Sequence, residues 1–260
     1  MQVDPLTSPL TVCANRLTLA VLVGITFCTL PLSSHAGTRE DNTGWTPRPY
    51  QATYTAEYNG MSVVAERSLT VDNSAYRIAS SVKGLLGGMT ETEDFHLDDS
   101  NRIRSDRYTA EKSFFGAKRR EQQDIDHSTG IGVYQSKKKH REVSVAPDDL
   151  GPVTYQLQLR RHLQYQALPV ELQVLRRGRV KTYRFELLGE ESIDTGLGRV
   201  DTVKVQRVRE NSDRHTVFWL APEWDYLIVK LAQREDDGEA YEMVLESAAI
   251  EGRDLVPPSR

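Results

Sequence analysis

From Tyr50 onward the apolar residues of this chain recur at every second position, and that period decides what it can fold into. In "YQATYTAEY" Ala52, Tyr54, Ala56 and Tyr58 alternate with Gln51, Thr53, Thr55 and Glu57. Successive side chains of an extended strand point to opposite faces, so the pattern describes a strand with one face buried. Asn59-Gly60 follows, a pair that tolerates the positive φ of a tight hairpin. A second strand over 61–71 is therefore expected to fold back along the first. The rhythm continues: "DNSA", "DDSN", "STG", "RRG", "TGLG" and "DDG" are turn chemistry between alternating segments such as "GVYQSKK", "VKTYRFELL", "RVDTVKVQRV" and "AYEMVLESA". The expected fold is mainly β, a strongly curved antiparallel sheet or partly closed β-barrel with one packed α-helix.

The helix is expected where the period changes. In "DDLGPVTYQLQLRRHLQ" Tyr155, Leu159 and Leu163 fall at i, i+4 and i+8, and Pro152 suits a first helical turn. The segment predicts a helix over 152–163, placed between a polar first half and a second half richer in apolar positions.

The first 36 residues read differently. Arg16 precedes the apolar run "LTLAVLVGITFCTLPL", and Ser34 and Ala36 form a small-x-small site. A positive start, a short apolar core and small residues at the end describe a cleavable signal peptide over 1–36. Both cysteines, Cys13 and Cys28, lie within it, so the exported chain has no thiol chemistry. The polar stretch 37–49 reads as a flexible lead, 50–250 as a single β domain, and 251–260 as a C-terminal tail. No later run is long enough to span a membrane. The formal net charge of −4 gives no general attraction to nucleic acid.

Motifs for chemistry are few. His96, His127, His140, His162 and His215 form no H-x-H or H-x3-H pair, so no metal site and no cofactor is expected. The acidic stretch "ETEDFHLDD" lacks the spacing of a calcium loop and reads as a solvated strand end. No G-x-S-x-G elbow or phosphate loop occurs, and "GLLGG" at 84–88 reads as a bend or a small flap with Leu85 and Leu86 at its tip. The basic clusters Lys118–Arg120, Lys137–Arg141, Arg160–Arg161 and Arg176–Lys181 read as solvated faces and edge protection. In "HTVFWLAPEWDYLIVKLAQRED" Glu223 and Asp225 read as hydrated turn residues and not as an acid pair. The flanking strand carries Val217, Trp219 and Ala221 on one face and Phe218 and Leu220 on the other. With both faces apolar it is expected to be covered on both sides, by the helix or by a bound apolar ligand.

The second half resembles the DUF3108 family of exported bacterial proteins. The resemblance rests on Thr195, Gly198, Val200, Asp201, Thr202, Lys204 and Val205, then Trp219, Leu220, Ala221 and Glu223, then Leu227, Ile228, Val229 and Lys230. Glu223 stands where the family more often has Asp, and Ile228 where it has Pro. The strand pair "YTAEYNGMSVVAERSLTV" and the helix segment extend the likeness over most of the mature chain. The resemblance implies a curved sheet with a helix against it, similar to periplasmic lipoprotein carriers, and leaves the function open. The leading expectation is a non-enzymatic periplasmic protein binding a lipid or other apolar ligand between sheet and helix, with Tyr54, Tyr58, Phe95, Tyr183, Phe185 and Trp219 as candidate lining. The alternative is an envelope interaction protein whose basic strand faces meet an anionic polymer, lipid or partner protein. A hydrolase assembled only in three dimensions ranks last.

Overall fold

The computed structural model describes residues 44–58, 61–84, 87–209, 214–235 and 240–256. The signal segment 1–36, the Asn59-Gly60 turn and the Leu85-Leu86 tip lie outside them, as do the side chains of Tyr58, Met61 and Phe114. The described residues fall within one unit, 42–260.

The alternating segments are all strands. Eight come first: β1 (Tyr50–Tyr58), β2 (Met61–Asp72), β3 (Ala75–Gly84), β4 (Gly87–Leu97), β5 (Ile103–Phe114), β6 (Ala117–Asp126), β7 (Ile131–Ser136) and β8 (Lys139–Ser144). Helix α1 (Tyr155–Gln164) follows, then β9 (Val170–Leu175), β10 (Val180–Thr195), β11 (Gly198–Val208), β12 (His215–Ala221), β13 (Leu227–Arg234), β14 (Ala240–Ile250) and the short β15 (Arg253–Asp254). They form one antiparallel sheet in the order β8 to β1, then β14 to β9, with β15 on β14. Two meanders are thus joined by the β1–β14 pairing, and α1 spans from one sheet edge to the other.

Bulges at Thr53/Tyr54, Asp94/Phe95, Leu187/Gly189 and Trp219/Leu220 interrupt the ladders. Each inserted residue bends its strand and increases the twist. The sheet curls until its two edges face each other without pairing. Side chains bridge the gap: Gln123 Nε2 donates to the Leu175 carbonyl at 3.1 Å, and Arg141 donates to the Arg177 carbonyl at 3.3 Å. The approach is closest at Gly178, with φ +67°, where an added Cβ would meet Arg141 Cβ at 2.7 Å. The result is barrel-like and open along one seam.

One face of each strand points inward. Tyr50, Ala52, Tyr54 and Ala56 of β1 share it with Leu69 of β2, Ile78 of β3, Phe95 of β4 and Leu245 of β14, all buried. Helix α1 sits inside one end of the barrel, burying Tyr155, Leu157, Leu159 and Leu163. Little space remains between helix and sheet: the void among Tyr54, Arg67, Gln156, Leu157 and Ile228 is about 10 Å³, less than one water needs. None of the described helices is long and apolar enough to cross a membrane.

Three boundaries differ from expectation. The helix starts at Tyr155 and not at Pro152; just ahead of it the backbone N–H groups of Val153 and Thr154 both donate to the Glu93 carboxylate, at 2.6 and 3.1 Å. The lead is not flexible over 44–49: Trp45 is buried, its carbonyl accepts from Asn101 Nδ2 at 2.7 Å, and Arg161 lies over its ring. In the tail, β15 pairs with β14 and the Leu255 N–H donates to the Ala248 carbonyl at 2.8 Å.

Candidate functional site

The two ends of the barrel differ in chemistry. At the helix end two arginines that enter the core are held by hydrogen bonds. Arg160 donates from Nη2 to Asp225 Oδ2 at 2.8 Å and from Nε to the Asp225 carbonyl at 3.0 Å. Arg161 donates to the Asn101 carbonyl at 2.6 Å. Both arginines are buried, which corrects their reading as a solvated pair. Asp225 is likewise not hydrated: burial, opposed by the Arg160 charge, holds its carboxyl above the usual aspartate range. Glu223 remains exposed.

Glu93, in the acidic stretch read as solvated, is fully buried. Besides the two backbone donors it accepts from Ser105 Oγ at 2.5 Å and Thr154 Oγ1 at 2.8 Å. Burial pushes its pKa up to about 7 against the pull of these four donors. A raised carboxyl pKa is a signature of active sites, but every oxygen of Glu93 is occupied in holding the start of α1. Gly151 is required beside it, since a Cβ there would overlap Glu93 Oε1.

The other end of the interior, toward the β1–β2, β3–β4, β11–β12 and β13–β14 connections, contains no helix. Arg176 after β9, Arg207 from β11 and Arg209 beyond it lie toward this end, and Arg67 from β2 lies between it and the helix, bordering Gln156 and Leu157. Opposite Arg67 and Arg207 in register are Ala52 and Phe185, both buried, so these guanidinium stems start from the inward face. Tyr155, at the first turn of α1, lies within electrostatic reach of all four arginines. Glu91 is the carboxylate within reach of Arg67 and Arg176. Arg207 stacks on the Tyr183 ring, 3.1 Å from its centroid. Among the described residues none of the four forms an ion pair, and Nε of Arg67 and Nε of Arg207 are buried without a hydrogen-bond partner. Burial, together with the charges of Arg207 and Arg214, lowers the pKa of Arg209 to about 10. Half-buried apolar residues adjoin the group on the same face: Val63, Val82 and Leu231.

The residues singled out from the sequence do not form one wall. Tyr54 points inward, is 1% exposed and donates to the Ile228 carbonyl at 2.9 Å. Phe95 is inward and stacked on Tyr76. Tyr183 and Phe185 are inward and pack on Tyr155 of the helix. Trp219 points outward. Its indole Nε1 donates to Glu191 at 2.9 Å, and Lys204 and Lys230 lie 5.0 and 5.1 Å from its ring centroid. The strand is covered on both sides as expected, by Phe185 and α1 within and by lysine stems without. The side chain of Tyr58 lies outside the described residues.

The arginine group was not legible as a site because its members come from three separate segments. On the outer face most strand cations are paired: Lys118 and Arg120 with Glu111, Arg107 with Asp124, Lys204 with Glu191 and Lys230 with Glu242. The Lys137–Arg141 cluster occupies the exposed edge strand β8 and the turn before it, where charge blocks sheet-to-sheet pairing. An outer groove of about 710 Å³ between Thr92, Thr109, Gln122 and His140 is lined by hydroxyl, amide and charged groups.

Residues 53–246 match the family model described as a protein of unknown function, DUF3108. Among solved structures, this chain is similar to a β-barrel-like protein of another domain of unknown function, DUF1849, from Brucella abortus, at 10% identity. That likeness covers 78% of this chain and 98% of the other, with a TM-score of 0.51. A more distant likeness, TM-score 0.33 at 13% identity, is to the MucA/MucB complex of Pseudomonas aeruginosa, covering 82% of this chain and 54% of that one. A putative lipoprotein from Parabacteroides distasonis is at 11% identity, 78% and 96% coverage and TM-score 0.31. At these identities the Brucella likeness is one of fold. No curated protein matches.

Proposed function

The chain belongs to the DUF3108 family, and we propose that it is a non-enzymatic protein of the bacterial envelope that binds an anionic amphiphile in the helix-free end of its barrel. The reading adopts the signal segment and periplasmic location inferred from the sequence. The observation that carries it is the set of inward arginines, Arg67, Arg176, Arg207 and Arg209, with no ion pair among the described residues. A buried charge without a counter-ion costs several kcal/mol, so buried Arg67 and half-buried Arg176 and Arg207 suit a negative ligand, while Arg209 beside them is held by the Arg214 carbonyl and Thr216 Oγ1 at 3.1 and 3.0 Å. The planar guanidinium fork matches carboxylate or phosphate oxygens. Val63, Val82 and Leu231 beside it favour a ligand with an apolar part as well. The void of only about 10 Å³ among Tyr54, Arg67, Gln156, Leu157 and Ile228 supports a ligand position beyond the helix rather than beneath it. A non-enzymatic role is supported by the use of Glu93, the buried carboxyl of raised pKa, as a helix anchor.

The test uses two single-chain lipids with similar tails, lysophosphatidic acid and lysophosphatidylcholine. Displacement of a fluorescent fatty acid is expected to favour the phosphatidic head by about tenfold or more, a bidentate charged contact contributing at least that much. Arg176→Gln combined with Arg207→Gln is expected to remove the preference while leaving the thermal unfolding transition in place. Mass spectrometry of protein purified from periplasm is expected to show a co-purifying acidic lipid. Equal affinity for the two lipids, or a preference that survives the double substitution, would overturn the reading.

A further inference from the structure

On the outer face of the sheet, far in sequence from any recognisable metal motif, three ligand-type side chains converge. His96 lies on β4, Asp106 on β5, and His127 in the turn after β6. One ligand atom from each lies within 4.8 Å of the others. His96 Nδ1 is 3.0 Å from Asp106 Oδ2, and His127 Nε2 is 3.3 Å from Asp106 Oδ1. The two rings stand nearly perpendicular, centroids 5.6 Å apart. We propose that His96, Asp106 and His127 form a three-ligand site for a divalent transition metal of the zinc class.

Three observations support this. The donor set, two imidazoles and a carboxylate, is the type that holds zinc while leaving a coordination position for water. Tetrahedral bonds of about 2.0–2.1 Å place ligand atoms about 3.3 Å apart; the His96–Asp106 hydrogen bond at 3.0 Å and the 3.3 Å approach of His127 to the other carboxylate oxygen are both near that spacing. Second, the bulge in the β4–β5 ladder falls at this point: Asp94 pairs with Arg107 and Phe95 with Ser105, so Asp106 is the extra residue. Bulges re-aim single side chains and recur beside functional sites. Here the bulge brings a carboxylate to the face that carries His96. Third, His127 Nε2 is buried and has no hydrogen-bond partner, although Asp106 is near; the contact lacks hydrogen-bond geometry. A buried ring nitrogen left unsatisfied and aimed at two other ligand atoms is the position a metal ion fills.

Arg104 is the group that opposes occupancy. It donates to His127 Nδ1 at 2.9 Å, which places the proton of the neutral ring on Nε2. Metal ligation at Nε2 needs that proton on Nδ1 instead, so the Arg104 bond must open. Asp98 is in place to receive the guanidinium, 3.5 Å from Arg104 Nη1. Removing Arg104 is therefore expected to tighten metal binding, which a merely structural ion-pair cluster would not do.

The full mature chain, stripped with chelator, is titrated calorimetrically with Zn²⁺ alone, with Mg²⁺ as control. One Zn²⁺ per chain is expected, with affinity weakened about tenfold or more by His96→Ala and by His127→Ala. Arg104→Gln is expected to bind at least as tightly as the wild type. Zn²⁺ is expected to raise the unfolding temperature of the wild type and of Arg104→Gln but not of either histidine variant. Circular dichroism of the metal-free variants confirms that each is folded. No Zn²⁺ binding tighter than about 100 μM, or binding that survives His127→Ala unchanged, would overturn the proposal. It is independent of the arginine site, which lies on the opposite face of the sheet.

Discussion

Glu93→Ala is expected to lower the free energy of unfolding by about 4 kcal/mol near pH 5, whereas Glu93→Gln is expected to cost less than about 1 kcal/mol. The difference follows from which partner faces which oxygen. Oε2 receives the backbone N–H groups of Val153 and Thr154, which cannot turn away. Oε1 faces the hydroxyls of Ser105 and Thr154, which can rotate to accept. Alanine leaves two backbone donors and two hydroxyls buried at the start of α1, and each unsatisfied group costs about 1–3 kcal/mol. Glutamine places its carbonyl against the backbone donors and its amide against the hydroxyls, so the network persists. Protonated Glu93 achieves the same arrangement, which fits a folded-state pKa raised from 4.5 to about 7 by burial. A pKa raised on folding stabilises the protein below the unfolded value, and that stabilisation is lost as the pH rises through the folded value. Glu93 therefore contributes a fall in stability between pH 4.5 and about 7, of about 3 kcal/mol at most. Urea unfolding of wild type and both variants at pH 5 and pH 8 checks this. The Gln variant should lose the Glu93 contribution to the pH slope, and the Ala deficit should shrink at pH 8. A Gln variant as damaged as Ala would show that the ionised form holds the helix, and the assignment would fall.

Much of this was written in the chain at short range. Period two, the turn residues and the change of period at Tyr155 are local signals, and each strand they mark is present. Glu93 was also within reach: two residues before Phe95 on the same strand, it shares the inward face, but the acidic residues around it suggested solvent. Asp106 was not, because the extra residue at its bulge shifts the parity of β5 relative to β4 without a sequence signal. Trp219 illustrates the same limit for strand faces. Alternation separates Trp219 from Phe218, but with both faces apolar it does not say which looks inward; the choice is made by Lys204 and Lys230 on neighbouring strands. The arginine group and the Arg160–Asp225 pair join segments tens of residues apart, and neither partner carries a mark of the other.

That last pair gives the second large effect. Asp225→Ala is expected to destabilise the fold by about 3–5 kcal/mol, the usual cost of leaving one member of a buried ion pair alone. Arg160 then has nowhere to go. Its side chain is 4% exposed, its Nη2 and Nε both point at Asp225, and its guanidinium lies over the Tyr50 ring. Asp225 also adopts a left-handed conformation, φ +52°, which aspartate and asparagine tolerate better than alanine. Arg160→Met should cost less. Methionine keeps most of the packed stem, and the remaining carboxyl, already raised in pKa by burial, can take up a proton. Combining Arg160→Met with Asp225→Asn removes both charges and preserves the turn, so the double variant should be more stable than Asp225→Ala alone. A double-mutant cycle over Arg160→Met and Asp225→Asn should return a coupling of about 2 kcal/mol or more. Coupling below about 0.5 kcal/mol would mean that the pair is an incidental contact. The pair matters beyond stability because it ties α1 to the turn between β12 and β13, and Tyr155 of that helix is the common neighbour of the four inward arginines. Loosening the helix at Arg160 should therefore weaken acidic-lipid binding even in variants that remain folded, a coupling the displacement assay can read directly.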